Sequence, residues 1–436
     1  MTRPGYKMTE IGEIPEDWDI ESLSDSCSRI TDGSHYSPQE VNVGTRLIAT
    51  VFNMDNNRII TETCRIISNK DYDLLVKNGC KPDKGDVLFS KDGTVGICFP
   101  YFQQDNLVLL SSIAILKPSD DVNSTFLSYF LKSEKGMSQI IGLKTGSALK
   151  RITLKNLKLV KIPLPLCKEQ QKIAEILSST DEAVQRLNDQ ISKTERLKKG
   201  LMQTLLTKGI GHTKFKMTEL EEIPEEWDIV KIGDPKVTEK MKAGGTPLKS
   251  VNHYYKYGKI PFVKIEDIVN SSKYLTRTFE FITDEGLNNS SSWLSPIDSV
   301  LFSMYASYGE VCINKIPVAT NQAIITIIPK RENVDVGFLY YELKNLKNSL
   351  RQYLRFTTQN NLNAEIVRGL KIILPPLLEQ QKIAEILSDI DSYLGGLKNY
   401  KDKLNSIKKG LMQDLLTGKV RVNNLKGVLN INGNTV

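Results

Sequence analysis

A chain of 436 residues, 40 % hydrophobic and 25 % charged, is too long for one ordinary core and suits two globular domains with connecting elements. Its net charge of +7, from 58 basic and 51 acidic residues, permits contact with nucleic acid without establishing it. No run is apolar enough for a membrane span, no secretory signal opens the chain, and six cysteines without a CxxC pair beside three scattered histidines offer no zinc-ligand spacing, so a cytoplasmic protein with reduced, partly buried thiols is expected.

The chain repeats itself. Its opening, YKMTE (6–10) followed by IPEDWDI (14–20), returns as FKMTE (215–219) followed by IPEEWDI (223–229). The paired tryptophans Trp18 and Trp227 suit a buried structural role better than base stacking. Loop segments come next: DGSHYSP (32–38) in the first half and AGGTPLK (243–249) in the second stand in equivalent places. Their glycines, Gly33, Gly244 and Gly245, would let backbone amides approach phosphates, while Ser34, His35, Tyr36, Thr246 and Lys249 supply side-chain donors. An ordinary turn is the competing reading of any one such loop.

Short β-rich runs follow in matching order, at 46–52, 86–90 and 113–116, then 260–265, 299–303 and 323–328, broken by Gly, Asn, Asp and Pro. Short helices are expected at 125–133 and 336–353, which makes each half a mixed α/β domain. After each VLFS strand comes a second loop, with Lys91 and Thr94 in the first copy and Tyr305, Ser307 and Tyr308 in the second. A third pair brings Lys144, Thr145, Ser147, Lys150 and Arg151, and then Thr358, Gln359, Asn360 and Asn361, side chains suited to base readout or phosphate contact.

The best-kept part of the repeat is a helix. Residues 164–207 recur at 374–417 in one ungapped alignment, and together with the echo at the opening they make a repeat unit of roughly two hundred residues, far longer than a solenoid repeat. Prolines at 163, 165, 375 and 376 are expected to end the preceding strands and set the helix starts, and Glu169 and Glu379 place carboxylates near the positive ends. Each helix should run for about forty residues, or about 60 Å. Apolar residues spaced by threes and fours, Leu177, Val184, Leu187, Ile191 and Leu201 in one copy and Leu387, Leu394, Leu397, Leu404 and Leu411 in the other, define a coiled-coil seam. Both copies contain KKGLMQ, although an interior glycine costs about 1 kcal/mol relative to alanine. Gly200 and Gly410 mark either a local kink or, as the persistence of glycine in both copies favours, a place where another chain comes close.

Catalytic signatures are missing: no GxGxxG, Walker A loop, GxSxG or HExxH, and no Asn/Asp-Pro-Pro-aromatic motif of adenine methyltransferases. Glu266 and Asp267 beside Lys264 suggest a nuclease site no more than chance clusters do.

These segments together resemble the specificity subunit of type I restriction-modification systems. The carrying residues are the EQQKIAEIL runs at 169–177 and 379–387, each leading into a helix that ends in KGLMQ, with the tryptophan segments, the GGTP loop at 244–247 and GDVLFSKDGT at 85–94. The resemblance covers nearly the whole chain. It implies an α/β (α+β) fold of two tandem mixed target-recognition domains, residues 1–162 and 209–373, each followed by a long spacer helix, residues 163–208 and 374–418. The two helices would form an antiparallel coiled coil with pseudo-twofold symmetry, and Tyr6 would lie beside the end of the second helix. From their composition, Asn- and Gly-rich from Arg421 on, residues 419–436 are expected to be a mobile tail. The resemblance also implies a non-catalytic subunit that reads a bipartite, asymmetric site on double-stranded DNA. Two modification (methyltransferase) subunits and the restriction (translocase-nuclease) subunits would be its partners, docked with help from Gln170, Gln171, Gly200, Gln380, Gln381 and Gly410. No cofactor belongs to this chain; S-adenosylmethionine, ATP and magnesium are expected in the partners. The alternative is a non-catalytic coiled-coil scaffold that binds proteins rather than DNA.

Overall fold

The computed structural model describes residues 2–55, 57–143, 151–305, 308–354 and 362–422. Two compact units divide the chain, residues 1–188 with 400–436 and residues 189–399. Each unit thus holds one mixed domain, the start of the helix that follows it and the end of the other helix.

Both domains are built to one plan. In the first unit an antiparallel sheet runs in the order Cys27–Asp32, Ile113–Pro118, Val87–Ser90, Cys98–Pro100. In the second unit the order is Thr238–Ala243, Ile324–Pro329, Val300–Ser303, Val311–Asn314, with Tyr274–Leu275 added in parallel at the edge. Every residue of the two VLFS strands is buried, as expected of a continuous apolar run covered on both faces. A smaller sheet accompanies each: Leu47–Ala49 between Arg65–Ile66 and Leu107–Leu109, and Ile260–Val263 between Glu280–Ile282 and Ala319–Thr320. The expected strand at 46–52 is therefore cut short, because Thr50 and Asn53 form a reciprocal cap that turns Val51–Asn53 into a single 3-10 turn.

A short hairpin opens each domain, Tyr6–Thr9 with Gly12–Pro15 and Phe215–Met217 with Glu222–Pro224. The next strand pairs with the one that leads into the helix: Asp19–Ser22 with Lys161–Leu164, and Asp228–Lys231 with Lys371–Leu374. Pro163 lies inside its strand rather than ending it, which is tolerated because this two-stranded ribbon is all edge. The expected short helices form at Ser124–Lys132 and Val336–Leu354.

The long helices span Cys167–Thr207 and Leu377–Leu415. Within the second unit Lys198 is salt-bridged to Asp391, and Glu195 to Lys398 at 2.7 Å. Rising numbers on one helix meet falling numbers on the other, so the segments pack antiparallel. Within the first unit Asp181 meets Lys408 in the same sense. Leu187, Ile191 and Leu394 are buried along the helices, whereas Val184, Leu397 and Leu404 are half-buried. Four of the expected seam residues also belong to domain cores. Leu177 and Leu411 join the first domain's core around Trp18, Phe89 and Phe126. Leu387 and Leu201 join the second's around Trp227, Phe302 and Phe338. The reason is that the first turns of each helix lie on their own domain and the last turns on the other unit's domain, so part of the heptad stripe meets a sheet-and-helix core instead of a helix.

Of the expected tail at 419–436, residues 419–422 are described and 423–436 lie outside the described residues. Arg421 is half-buried and Val422 buried in the first unit, and Tyr6 Oη donates to the Gly418 carbonyl at 2.9 Å. Composition pointed to a loose end; a charged cluster beneath Trp18 holds these residues instead.

Candidate nucleic-acid interface and helix junctions

Three loops meet at one end of each domain. In the first, Lys91 is 3.0 Å from Asp32, the backbones of Asp92 and Arg151 form an isolated antiparallel bridge, and the Ile152 amide donates to the Lys91 carbonyl at 2.8 Å. In the second, the Gly244 and Met304 amides donate to the Ile324 and Ala323 carbonyls, and the Leu362 amide to the Met304 carbonyl at 3.0 Å. Lys144, Thr145, Ser147, Lys150, Ser307, Thr358, Gln359, Asn360 and Asn361 lie outside the described residues.

The glycines in these loops do not offer their amides to a ligand. Gly33 donates to the Ile113 carbonyl at 3.1 Å, Gly244 to that of Ile324 at 3.1 Å and Gly245 to that of Thr320 at 2.9 Å. A side chain at any of them would collide: an added Cβ would lie 2.2 Å from the Leu109 carbonyl oxygen at Gly33 and 2.0 Å from the Thr320 carbonyl oxygen at Gly244. Glycine is required there because two backbones cross, and the expected phosphate cradle gives way to a packing contact. Ser34 is likewise buried, its hydroxyl donating to the Tyr36 carbonyl at 2.7 Å. Tyr305 and Tyr308 pack against the second core.

What remains available is side chain. His35 and Tyr36 are exposed, and so are Thr94, Arg151 and Lys249, while Thr246 is half-buried and bonded to Gln322. Lys91 is largely covered and neutralised by Asp32. Phe52, unremarkable in sequence because it sits inside an apolar run, is 91 % exposed. Its neighbours Val51 and Asn53 are buried, and Asn53 donates to the Thr63 carbonyl at 2.8 Å, so a rigid turn holds the ring outward. The signal in the sequence is the Thr50-x-x-Asn53 cap, which follows the strand's last residue, Ala49, three before Phe52.

The helix junctions use the residues that recur most faithfully. Glu169 accepts from Trp18 Nε1 at 3.2 Å and from Arg421 Nε at 2.8 Å, and Arg421 also forks onto Asp17 at 2.8 and 2.7 Å. That guanidinium holds the Asp17 carboxyl below its usual range. In the second unit Glu379 accepts from Trp227 Nε1 at 2.9 Å and the Ile210 amide at 2.9 Å, and His212 Nε2 lies 2.9 Å away in place of the arginine. The helix-start carboxylates therefore bind the buried tryptophans and do more than face the helix dipole.

Gln170 and Gln380, expected to dock a partner, are buried instead. Gln170 accepts from the Asn123 amide at 2.8 Å and donates to the Asp121 and Pro165 carbonyls, both at 2.9 Å. Gln380 makes the same three contacts with the Asp335 amide and the Asn333 and Pro375 carbonyls. A primary amide has both donor and acceptor ends, so one side chain satisfies a helix start and a loop together. Gln171 and Gln381, one position on, are exposed, and nothing stands within 4 Å of a Cβ added at Gly200 or Gly410.

The first lysine of each KKGLMQ run also has a structural task. Lys408 pairs with Asp181, which accepts from Tyr129 Oη at 2.7 Å; Lys198 pairs with Asp391, which accepts from Tyr341 Oη at 2.8 Å. Each carboxylate thereby joins both long helices to a domain helix. Among the described residues, no cluster of three or more His, Cys, Asp or Glu is placed to hold a metal ion.

Comparison with known proteins places this architecture. The chain is 29 % identical to the putative type I restriction enzyme MjaX specificity subunit of Methanocaldococcus jannaschii, over 96 % of this chain and 97 % of that one. It is 25 % identical to the HindI specificity subunit of Haemophilus influenzae, over 93 % of this chain and 100 % of that one. Its fold is similar to that of the type I restriction-modification S subunit from M. genitalium, with a TM-score of 0.58 at 18 % identity, covering 95 % of this chain and 99 % of that one. The family profile of the type I restriction modification DNA specificity domain matches twice, at residues 15–195 and 224–409. Each match takes in one sheet domain, its tryptophan–glutamate junction and most of the helix beyond. With two such domains in tandem, the chain belongs to the type I restriction-modification DNA specificity family.

Proposed function

We propose that the chain gives a type I restriction-modification enzyme its target, each domain reading one half of a bipartite, asymmetric DNA site and the helices setting the stretch between. The observation that carries this reading is the division of labour within each unit. Junction contacts recur residue for residue, as at Glu169 and Glu379 or Asp181 and Asp391, whereas the loops at the domain ends do not. Side chains left exposed there, His35, Tyr36, Phe52 and Thr94 in one domain and Lys249 in the other, suit contact with base edges and phosphates.

Two modification subunits would dock on the exposed helix faces that include Gln171, Gln381, Gly200 and Gly410, and restriction subunits would join them. Binding of S-adenosylmethionine, methylation of a flipped adenine and ATP-driven cleavage would fall to those partners. The setting is the cytoplasm, in keeping with described helices that are nowhere long and apolar enough to cross a membrane. Mapping methylated adenines in cells that carry this chain and its modification partner tests the reading. Two short unlike motifs at a fixed interval are expected, and a single continuous palindrome would refute it. A protein-binding scaffold without DNA contact would leave the map unchanged when residues 1–162 are exchanged for another member's first domain.

A further inference from the structure

The second domain contains a stretch that charge alone sets apart. Between Glu239 and Glu266 the sequence has six lysines and a histidine and not one acidic residue. Lys240, Lys242, Lys249, Lys256 and Lys259 are all exposed, and among the described residues none of them has a carboxylate within 4 Å. The other two basic groups are spoken for, His253 by Glu285 at 3.2 Å and Lys264 by Glu280.

Packing joins this stretch into one surface beside the Gly244 loop. Lys240 and Lys242, two apart on the same face of a strand, lie over Trp293 at 4.6 and 5.7 Å from its ring centre. Just before Trp293, Ser291 and Ser292 abut Gly245. From the far side of the loop, Tyr255 Oη donates to the Pro247 carbonyl. Two residues later Tyr257 sits at φ +60° and is 86 % exposed. A bulky residue in the left-handed region is strained, by about 1 kcal/mol or more. Gly258 follows because a Cβ there would lie 2.5 Å from the Ile282 backbone. The tight turn thus keeps an aromatic ring in solvent, among unpaired lysines, where glycine would fit the backbone better.

We propose that this face of the second domain grips the DNA backbone, with the five unpaired lysines on phosphates and the Tyr257 ring against the sugar–base edge. This rests on the DNA-specificity reading and adds where the electrostatic hold lies. The corresponding loop stretch of the first domain, residues 33–58, is mixed in charge, with Glu40 and Asp55 among His35, Arg46 and Arg58.

The test uses the full chain and a 40-base-pair duplex of arbitrary sequence, with affinity measured across a salt series. Replacing Lys249, Lys256 and Lys259 by alanine should flatten the slope of log affinity against log salt by about 2–3, close to one for each phosphate no longer neutralised. Alanine at Lys231, Lys236 and Lys330 of the same domain should leave the slope unchanged. Tyr257→Gly relieves the backbone while removing the ring, so it should preserve or raise the melting temperature and still weaken duplex binding several-fold. If the unsubstituted chain binds and both lysine triples keep its slope, or Y257G binds as tightly as the parent, this face is not the grip, although the DNA reading stands. Absence of duplex binding by the unsubstituted chain, even at low salt, would overturn both.

Discussion

Asp391 and Asp181 are single carboxylates asked to hold three elements, and removing one charge should show how much of the helix register depends on it. Asp391→Asn keeps the shape and deletes the charge that meets Lys198 and Tyr341. The Lys198 and Asp391 side chains are 14 % and 27 % exposed, between the surface limit of about 0.2–1 kcal/mol and the 3–5 kcal/mol of a broken buried pair. A coupling of about 1–2 kcal/mol is expected, and the weakened Tyr341 hydrogen bond brings the total cost of D391N to about 2–3 kcal/mol. A double-mutant cycle with Lys198→Met, read by urea unfolding of the full chain, isolates the pair. The twin cycle, Asp181→Asn with Lys408→Met, involves side chains 15 % and 24 % exposed and should agree within about 1 kcal/mol. Coupling below about 0.5 kcal/mol in both cycles would show that packing alone fixes the register.

Other outcomes follow from single sites. Burying an unpaired charge with Leu187→Asp, at a position 8 % exposed, should cost several kcal/mol, visible as a lower urea midpoint and loss of methyltransferase assembly; an unchanged midpoint would remove Leu187 from the seam. Glu342 is buried, holds the Ile373 amide at 3.1 Å with one oxygen, leaves the other without a hydrogen-bond partner among the described residues, and has its pKa raised from 4.5 to about 8 chiefly by burial. Between those values the folded state keeps a proton that the unfolded chain releases, so stability should fall as pH rises, by about 1.4 kcal/mol per unit, and level off above pH 8. Glu342→Gln should erase that slope and raise the urea midpoint at pH 8, and an identical slope in both proteins would refute the assignment. Phe52→Ala, at a ring 91 % exposed, should leave the melting temperature within about 1 °C yet change methylation of one half-motif, as read by sequencing; an unaltered map would make the ring incidental.

Much of the frame was legible because periodicity and repetition report on burial. The VLFS strands, the tryptophan segments and the long helices all carry patterns that a buried face or a heptad imposes. The site was less legible. Gly33 and Gly244 read as phosphate cradles because a glycine needed where two backbones cross is spelled the same way as one needed where a backbone meets a ligand. Gln170 and Gln380 read as docking residues because repetition shows that a side chain matters without showing which way it points. Phe52 and Trp293 do not recur between the halves, so the signal that organised everything else was silent on them.

Closure of each domain explains why recurrence stops where it does. The carboxylate beneath each tryptophan takes a basic partner from beyond the end of the other long helix. In the first unit it is Arg421, after the end of the second helix, and in the second it is His212, after the end of the first. The residues just beyond each helix are therefore part of the domain they reach, although those after the second were expected to be a tail. Here the copies differ, and the difference has a chemical consequence: a guanidinium stays charged at any physiological pH, whereas an imidazole does not. Arg421→His should thus bring the first junction close to the chemistry of the second, with fewer bonds, since Asp17 would lose its bidentate partner. Glu169, 1 % exposed, would keep Trp18 but lose a permanent positive charge. The stability lost should be smallest in mild acid, where the new imidazole is protonated, and grow toward pH 8. An equal loss at both pH values would mean that Arg421 acts by packing over Trp18, 5.8 Å from its ring centre, rather than by its charge.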